Sequence, residues 1–267
     1  MTEQHAGQHA EQQHGDLSVA QLRANLEAVQ DRIRAAERAA HREPGSVALL
    51  PVTKFHGAGT VEALAAAGVR LVGENREQEA RAKAETLATD GVDCGIVMIG
   101  QIQSKKANAV ARWASEVHSV DSVKLARGLD RGMALAIERG DRRDGAGDVL
   151  RCLVQVSADG DTSRGGVALD GALFGGVAAE ETVSHVVGAV EDAEHLVFDG
   201  FMVVPPLDAE PGEVFALVRQ LTDEWSAKLG RTLRMSAGMS GDFELAIAHG
   251  SDVVRVGTAV VGPRPVG

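Results

Sequence analysis

The sequence predicts a (β/α)8 barrel of the TIM type, and three observations predict it. Short apolar runs of strand character alternate with Ala-, Leu-, Glu- and Arg-rich helical patterns along almost the whole chain. Eight such runs fit into 267 residues, a length suited to one barrel domain. Unusual polar residues follow the apolar runs, and a barrel gathers those positions on one rim, at the carboxyl ends of its strands. A doubly wound open sheet is the alternative, because it uses the same alternation.

Residues 1–16 are rich in His, Gln, Glu and Gly and are expected to be a disordered tail. His5, His9 and His14 match no closed set of metal ligands. Order begins at Leu17. Ser18 and Gln21 form a capping box, with Leu17 and Leu22 at the staple positions. Leu22, Leu26, Val29 and Ile33 follow helical spacing, so a helix is expected over about 18–41.

Strands are expected at 47–53, 69–72, 95–99, 116–118, 149–156, 197–203, 232–235 and 252–256. Helical patterns lie between them at about 60–67, 76–88, 104–113, 121–139, 171–192, 213–229 and 241–249. The fifth of these is interrupted by Gly175-Gly176. The chain reaches Pro263-Arg264-Pro265 soon after the eighth strand, so no eighth helix is expected there. The N-terminal helix is expected to pack into that gap. No linker or break in composition divides 17–262, so residues 17–267 are expected to form one domain.

Composition narrows the function. Hydrophobic residues are 44% and charged residues 24%, the balance of a globular protein. No apolar run approaches the ~20 residues of a membrane span, and the N-terminus lacks the apolar core of a signal peptide. Cys94 and Cys152 alone give no disulfide framework, which fits a reducing cytoplasm. A net charge of −11, 3% aromatics and the absence of Tyr argue against nucleic acid as a partner.

The stretch Val47-Ala48-Leu49-Leu50-Pro51-Val52-Thr53-Lys54 is the first expected strand. A period of two places Lys54 on the face of Val52, Leu50 and Ala48. Such a lysine either snorkels to solvent or points into a site, where a desolvated amine forms a Schiff base more readily. Other polar residues share the rim: Gly73-Glu74-Asn75, Gly100-Gln101, Ser119 and Asp121, Ser157, Ser236, and Arg255 with Gly257-Thr258. Asp121 and Ser104 also suit helix N-caps. Ser236-Ala237-Gly238-Met239-Ser240-Gly241 is a Gly-rich turn leading into a helix. Loops after strands seven and eight commonly hold phosphate in this fold, through backbone N–H groups and hydroxyls. Arg255 shares inward parity with Val253 and Gly257. An amine at strand one facing a phosphate cradle suits a phosphorylated carbonyl ligand. Pyridoxal 5′-phosphate and the sugar phosphates of a Schiff-base aldolase both qualify.

These segments, in order, resemble the pyridoxal phosphate homeostasis proteins, the YggS-type group with the fold of the alanine racemase N-terminal domain. The resemblance rests on Val52-Thr53-Lys54, Gly73-Glu74-Asn75 with Gln78-Glu79, Ile99 to Lys106, His118 to Ser122, Val154 to Ser157, Met235 to Glu244 and Val254 to Ala259. It implies that Lys54 carries pyridoxal 5′-phosphate as a lysine aldimine. It further implies that Asn75 lies near the ring, that Arg255 faces the pyridine nitrogen, and that Ser236, Gly257 and Thr258 hold the phosphate. The implied function is intracellular cofactor homeostasis and delivery, without catalysis, by a cytoplasmic monomer serving cofactor-dependent apoenzymes. The alternative is an amino-acid racemase. The two-base route needs a base on each face of the bound cofactor, and a chain without Tyr or a second domain offers only Lys54. The sequence departs from the family pattern at Ile96 to Ile99, at Val72 and at Arg164, where aromatic residues, and at the last a lysine, are usual.

Overall fold

The capping box at the head of the chain starts the first helix. Ser18 Oγ accepts from the Gln21 amide at 3.3 Å, and Gln21 Oε1 accepts from the Ser18 amide at 2.9 Å. That helix is α1 (Val19–Ala39), buried along Leu22, Leu26, Val29 and Ile33. The protein is seen in a computed structural model describing residues 17–142, 147–174, 177–178 and 180–264. The N-terminal tail expected at 1–16, with His5, His9 and His14, lies outside the described residues.

Strands and helices then alternate: β1 (Ala48–Pro51), α2 (Ala58–Ala66), β2 (Leu71–Glu74), α3 (Glu77–Thr89), β3 (Gly95–Met98), α4 (Ala107–Trp113), β4 (Ala114–Val120) and α5 (Val123–Arg139). The second half continues with β5 (Leu150–Ser157), α6 (Val183–Glu191), β6 (Leu196–Val203), α7 (Pro211–Leu229), β7 (Arg234–Ser236), α8 (Phe243–Ala248), β8 (Val253–Val256) and α9 (Thr258–Val261). The eight strands are parallel and ordered 1-8-7-6-5-4-3-2. A single bridge, Val52 with Gly73, joins β1 to β2, where the Thr53 amide donates to Gly73 O at 3.0 Å. The sheet is therefore a nearly closed barrel and not an open doubly wound sheet.

α1 packs against α2, α8 and α9, across the place an eighth helix would take. Asn25 Nδ2 donates to Val260 O at 2.9 Å and Arg32 Nε to Glu244 at 2.8 Å, fixing it there. The sequence reading left no helix after β8, yet α9 makes one turn before Gly262. The expected helix over 171–192 is shorter. Leu173–Phe174 instead pairs antiparallel with Val177–Ala178. Thr182 and His185 then form a capping box, and Asp170 accepts from the Ser184 amide at 3.2 Å, so α6 starts at Val183. A 3₁₀ turn, Ser104–Lys106, precedes α4, so Ser104 caps no α-helix. Ser122, not Asp121, caps α5, with Oγ accepting from the Leu125 amide at 3.3 Å.

The main core lies between barrel and helices, around Phe198, Phe201, Phe215 and Phe243. The barrel interior is divided. Leu50, Val97 and Val253, with Leu71 and Ile99, fill one side. Glu116, His118, Ser236 and Arg255 are buried on the other. Among the described residues no helix is long and apolar enough to cross a membrane, and no group of three His, Cys, Asp or Glu could hold a metal.

Candidate functional site at the carboxyl rim

The first strand ends earlier than its apolar run suggests. Its ladder stops at Pro51, Val52 adds one bridge, and Lys54 stands in the turn beyond. Lys54 is exposed, so it is not the desolvated amine its parity suggested. Its Nζ lies 5.8 Å from the centroid of the Phe55 ring. Phe55 has φ 72°, left-handed backbone that a bulky residue rarely adopts. The guanidinium groups of Arg264 and Arg76 lie 4.2 Å and 5.3 Å from the same ring.

A buried pair holds the base of this turn. Lys83 Nζ reaches Glu74 Oε1 at 2.5 Å and Thr53 O at 2.8 Å, and Thr53 Oγ1 donates to the same Glu74 oxygen. Burial pushes the Glu74 carboxyl up, against the opposing pull of Lys83. Thus α3 and the end of β2 grip the residue that precedes Lys54.

Asn75 follows directly on Glu74 and is exposed at the rim. Its backbone crosses Gly100 so closely that a Cβ there would lie 2.0 Å from Asn75 O. Only glycine fits that crossing. Beside it, Asn75, Gln78, Gln101, Gln103 and Lys106 line a hollow of about 330 Å³.

Arg255 lies at the floor and is 3% exposed. Nη1 donates to Ser236 Oγ at 2.8 Å and Nη2 to Val203 O at 2.9 Å. Among the described residues no carboxylate is hydrogen-bonded to it. Burial pulls its pKa down to about 10 against the field of the Asp242 carboxylate, so it remains a cation at neutral pH. Ser236 is fully buried and its hydroxyl also meets His118 Nδ1 at 3.2 Å. Ser236, expected to hold phosphate, thus has its oxygen between Arg255 and His118 in this structure. The sequence reading assigns no site role to His118, within the motif segment His118 to Ser122, or to Glu116. Their signal is two ionisable residues at i, i+2, which share one face of β4.

Above this floor the loops of β7 and β8 meet. The Arg255 amide donates to Gly238 O at 2.9 Å, tying the two together. Gly257 caps α9 with no side chain on the cap, Thr258 is exposed and Ser240 is half-buried. First-turn amides and these hydroxyls are donors suited to an anion. An accessible amine, a buried cation held by a hydroxyl and a carbonyl, and a Gly-rich donor loop together fit a phosphorylated ligand carrying a carbonyl and a ring acceptor.

This barrel, with its lysine in the turn after the first strand and its arginine under the last two loops, falls in the class described as alanine racemase, N-terminal domain, which matches residues 24–265. Within that class the chain belongs to the pyridoxal phosphate homeostasis protein family. It is 49% identical to the family protein of Corynebacterium glutamicum over 89% of this chain and 100% of the relative. The Mycobacterium tuberculosis relative is 43% identical over 90% of this chain and 91% of its own. Among solved structures, PipY of Synechococcus elongatus with PLP bound is 30% identical, with a TM-score of 0.69 over 91% of this chain and 100% of PipY. The alanine racemase of Streptomyces coelicolor, 20% identical, shares the fold with a TM-score of 0.62 over 91% of this chain and 58% of its own.

Proposed function

We propose that this protein binds pyridoxal 5′-phosphate and serves its homeostasis, holding the cofactor at Lys54 without turning over amino acids. The observation that carries the reading is Arg255, a buried cation that no carboxylate of the described residues hydrogen-bonds, set below an accessible lysine. Bound there, the cofactor supplies an aldehyde that condenses reversibly with a primary amine. In this reading Lys54 provides that amine, and Asn75 borders the ring. The Gly257–Thr258 turn receives the phosphate, with the Ser240 hydroxyl of the β7 loop as a further donor. Ser236 acts one layer lower, under Arg255. A guanidinium stays protonated, so Arg255 favours a ring nitrogen with a free lone pair, which leaves the ring a poor electron sink. That suits a carrier. The partners in this reading are cofactor-dependent apoenzymes, the oligomeric state is a monomer, and the location is the cytoplasm.

A racemase needs a second base opposite Lys54, and the chain contains no tyrosine to supply it. The test is to incubate cofactor-loaded protein with single L-amino acids in deuterium oxide and follow α-proton exchange and chirality. Slow exchange without inversion is expected. Inversion at roughly 1–10³ s⁻¹, the range of ordinary enzymes, contradicts the carrier reading.

A further inference from the structure

A line of buried hydrogen bonds descends from Arg255 into the barrel. Ser236 Oγ, 2.8 Å from Arg255 Nη1, is 3.2 Å from His118 Nδ1. His118 Nε2 is 2.9 Å from Glu116 Oε2, which also accepts from Arg234 Nη2 at 2.9 Å. Arg234 in turn bonds Asp199. His118 is 1% and Ser236 0% exposed, so water cannot substitute for any member of the first two links.

We infer that His118, oriented by Glu116, is a positioning residue: it accepts the Ser236 hydroxyl's hydrogen bond, leaving Ser236 only lone pairs with which to hold Arg255. The direction of each bond follows from the ends of the line. Glu116 is a carboxylate, held down despite burial by its bonds to His118 and the Arg234 guanidinium, so it only accepts. His118 Nε2 must then carry the hydrogen. Burial, with Arg234 and Arg255 nearby, pushes the His118 pKa down despite Glu116, so the ring is neutral and Nδ1 is a bare acceptor. The Ser236 hydroxyl donates to Nδ1, and its oxygen accepts from Arg255.

Two consequences follow for the site, both resting on the proposed cofactor reading. Ser236 has no proton left for a ligand, so N–H groups of Arg255 are the donors on this floor. The guanidinium is also held on two sides, by Ser236 and Val203 O, and is ordered before any ligand arrives.

Two measurements test this. In unliganded protein, ¹⁵N spectra of the histidine side chains should show His118 as the neutral Nε2–H tautomer near pH 7.5. An Nδ1–H tautomer or an imidazolium there overturns the inference, whether or not any variant folds. Titration with pyridoxal 5′-phosphate should show His118→Leu binding about tenfold more weakly, the loss expected for an unmoored charged donor. His118→Asn, whose amide oxygen can stand in for Nδ1, should recover most of it. In a Ser236→Ala background, His118→Leu should add no further loss, because His118 acts only through Ser236. Independent, additive losses refute the relay. Failure of wild-type protein to bind the cofactor would instead count against the proposed function and leave the tautomer result standing.

Discussion

The guanidinium of Arg255 rests on the hydroxyl of Ser236 at 2.8 Å, on neighbouring strands β8 and β7 and shut off from solvent. Asp242 acts on this cation only through space, and burying a guanidinium with no hydrogen-bonded carboxylate is costly for folding, so its presence points to binding. Arg255→Met should leave the unliganded protein about as stable as wild type, or more so, while weakening cofactor binding tenfold or more. Thermal unfolding without ligand and titration with it read the two effects separately. A large loss of stability with binding intact would assign Arg255 a structural role.

The phosphate assignment separates by ligand. Thr258→Val and Ser240→Ala each remove one hydroxyl from the loops over Arg255. Losing one hydrogen bond to a charged group costs roughly 1.5–3 kcal/mol, so pyridoxal 5′-phosphate should bind about tenfold to a hundredfold more weakly. Pyridoxal, lacking the phosphate, should be unaffected. Equal losses for both ligands would remove these residues from the phosphate site.

The Lys83–Glu74 pair predicts a stability effect next to the site. Both side chains are almost fully buried, and Lys83→Met leaves the Glu74 carboxylate alone. Breaking one side of a buried pair costs about 3–5 kcal/mol. The double change Glu74→Leu with Lys83→Met should recover much of that. Urea denaturation of the three proteins measures it, and a single variant within 1 kcal/mol of wild type (about the size of an ordinary exposed pair) would show the pair is not buried in solution.

Acid should weaken the fold through the His118–Glu116 pair. Both groups have folded pKa values below their ordinary ones, so the folded chain resists the protons that the unfolded chain takes up. Their contribution is complete above the ordinary His value of ~6.5. It declines as pH falls, through His118 first and then through Glu116 toward about 2. Glu74 and Asp121, whose carboxyls are raised by burial, oppose this in mild acid. The pair is therefore read from the difference between wild type and His118→Asn. That difference in urea midpoint should shrink from pH 7.5 to pH 5. A difference independent of pH would mean His118 does not titrate against the fold.

Much of this arrangement is legible in the sequence, for physical reasons. Helix α1 announces itself through Ser18 and Gln21 and its apolar stripe. The inward parity of Arg255 follows from a strict period of two along β8, and Lys54 is marked by its place after an apolar strand. Periodicity fails where tertiary contacts decide. The Lys54 turn depends on Phe55 in a left-handed conformation, which no propensity assigns to phenylalanine. The helix expected from 171 starts only at Val183, because Thr182, His185 and Asp170 cap it there. Ser236 is visibly near the last two loops, but the strand whose His118 meets its hydroxyl lies over a hundred residues away in sequence. Such a pairing is set by barrel closure and leaves no local trace.

The central claim is that Lys54 is the point of attachment. Wild-type protein loaded with pyridoxal 5′-phosphate should be reduced with borohydride, digested and mapped by mass spectrometry. The pyridoxyl adduct is expected on the peptide containing Lys54, with Lys54→Ala losing both the adduct and the visible absorption band of the loaded protein. An adduct of equal yield on another lysine, Lys83 or Lys106 for example, with the band surviving in Lys54→Ala, would contradict the account.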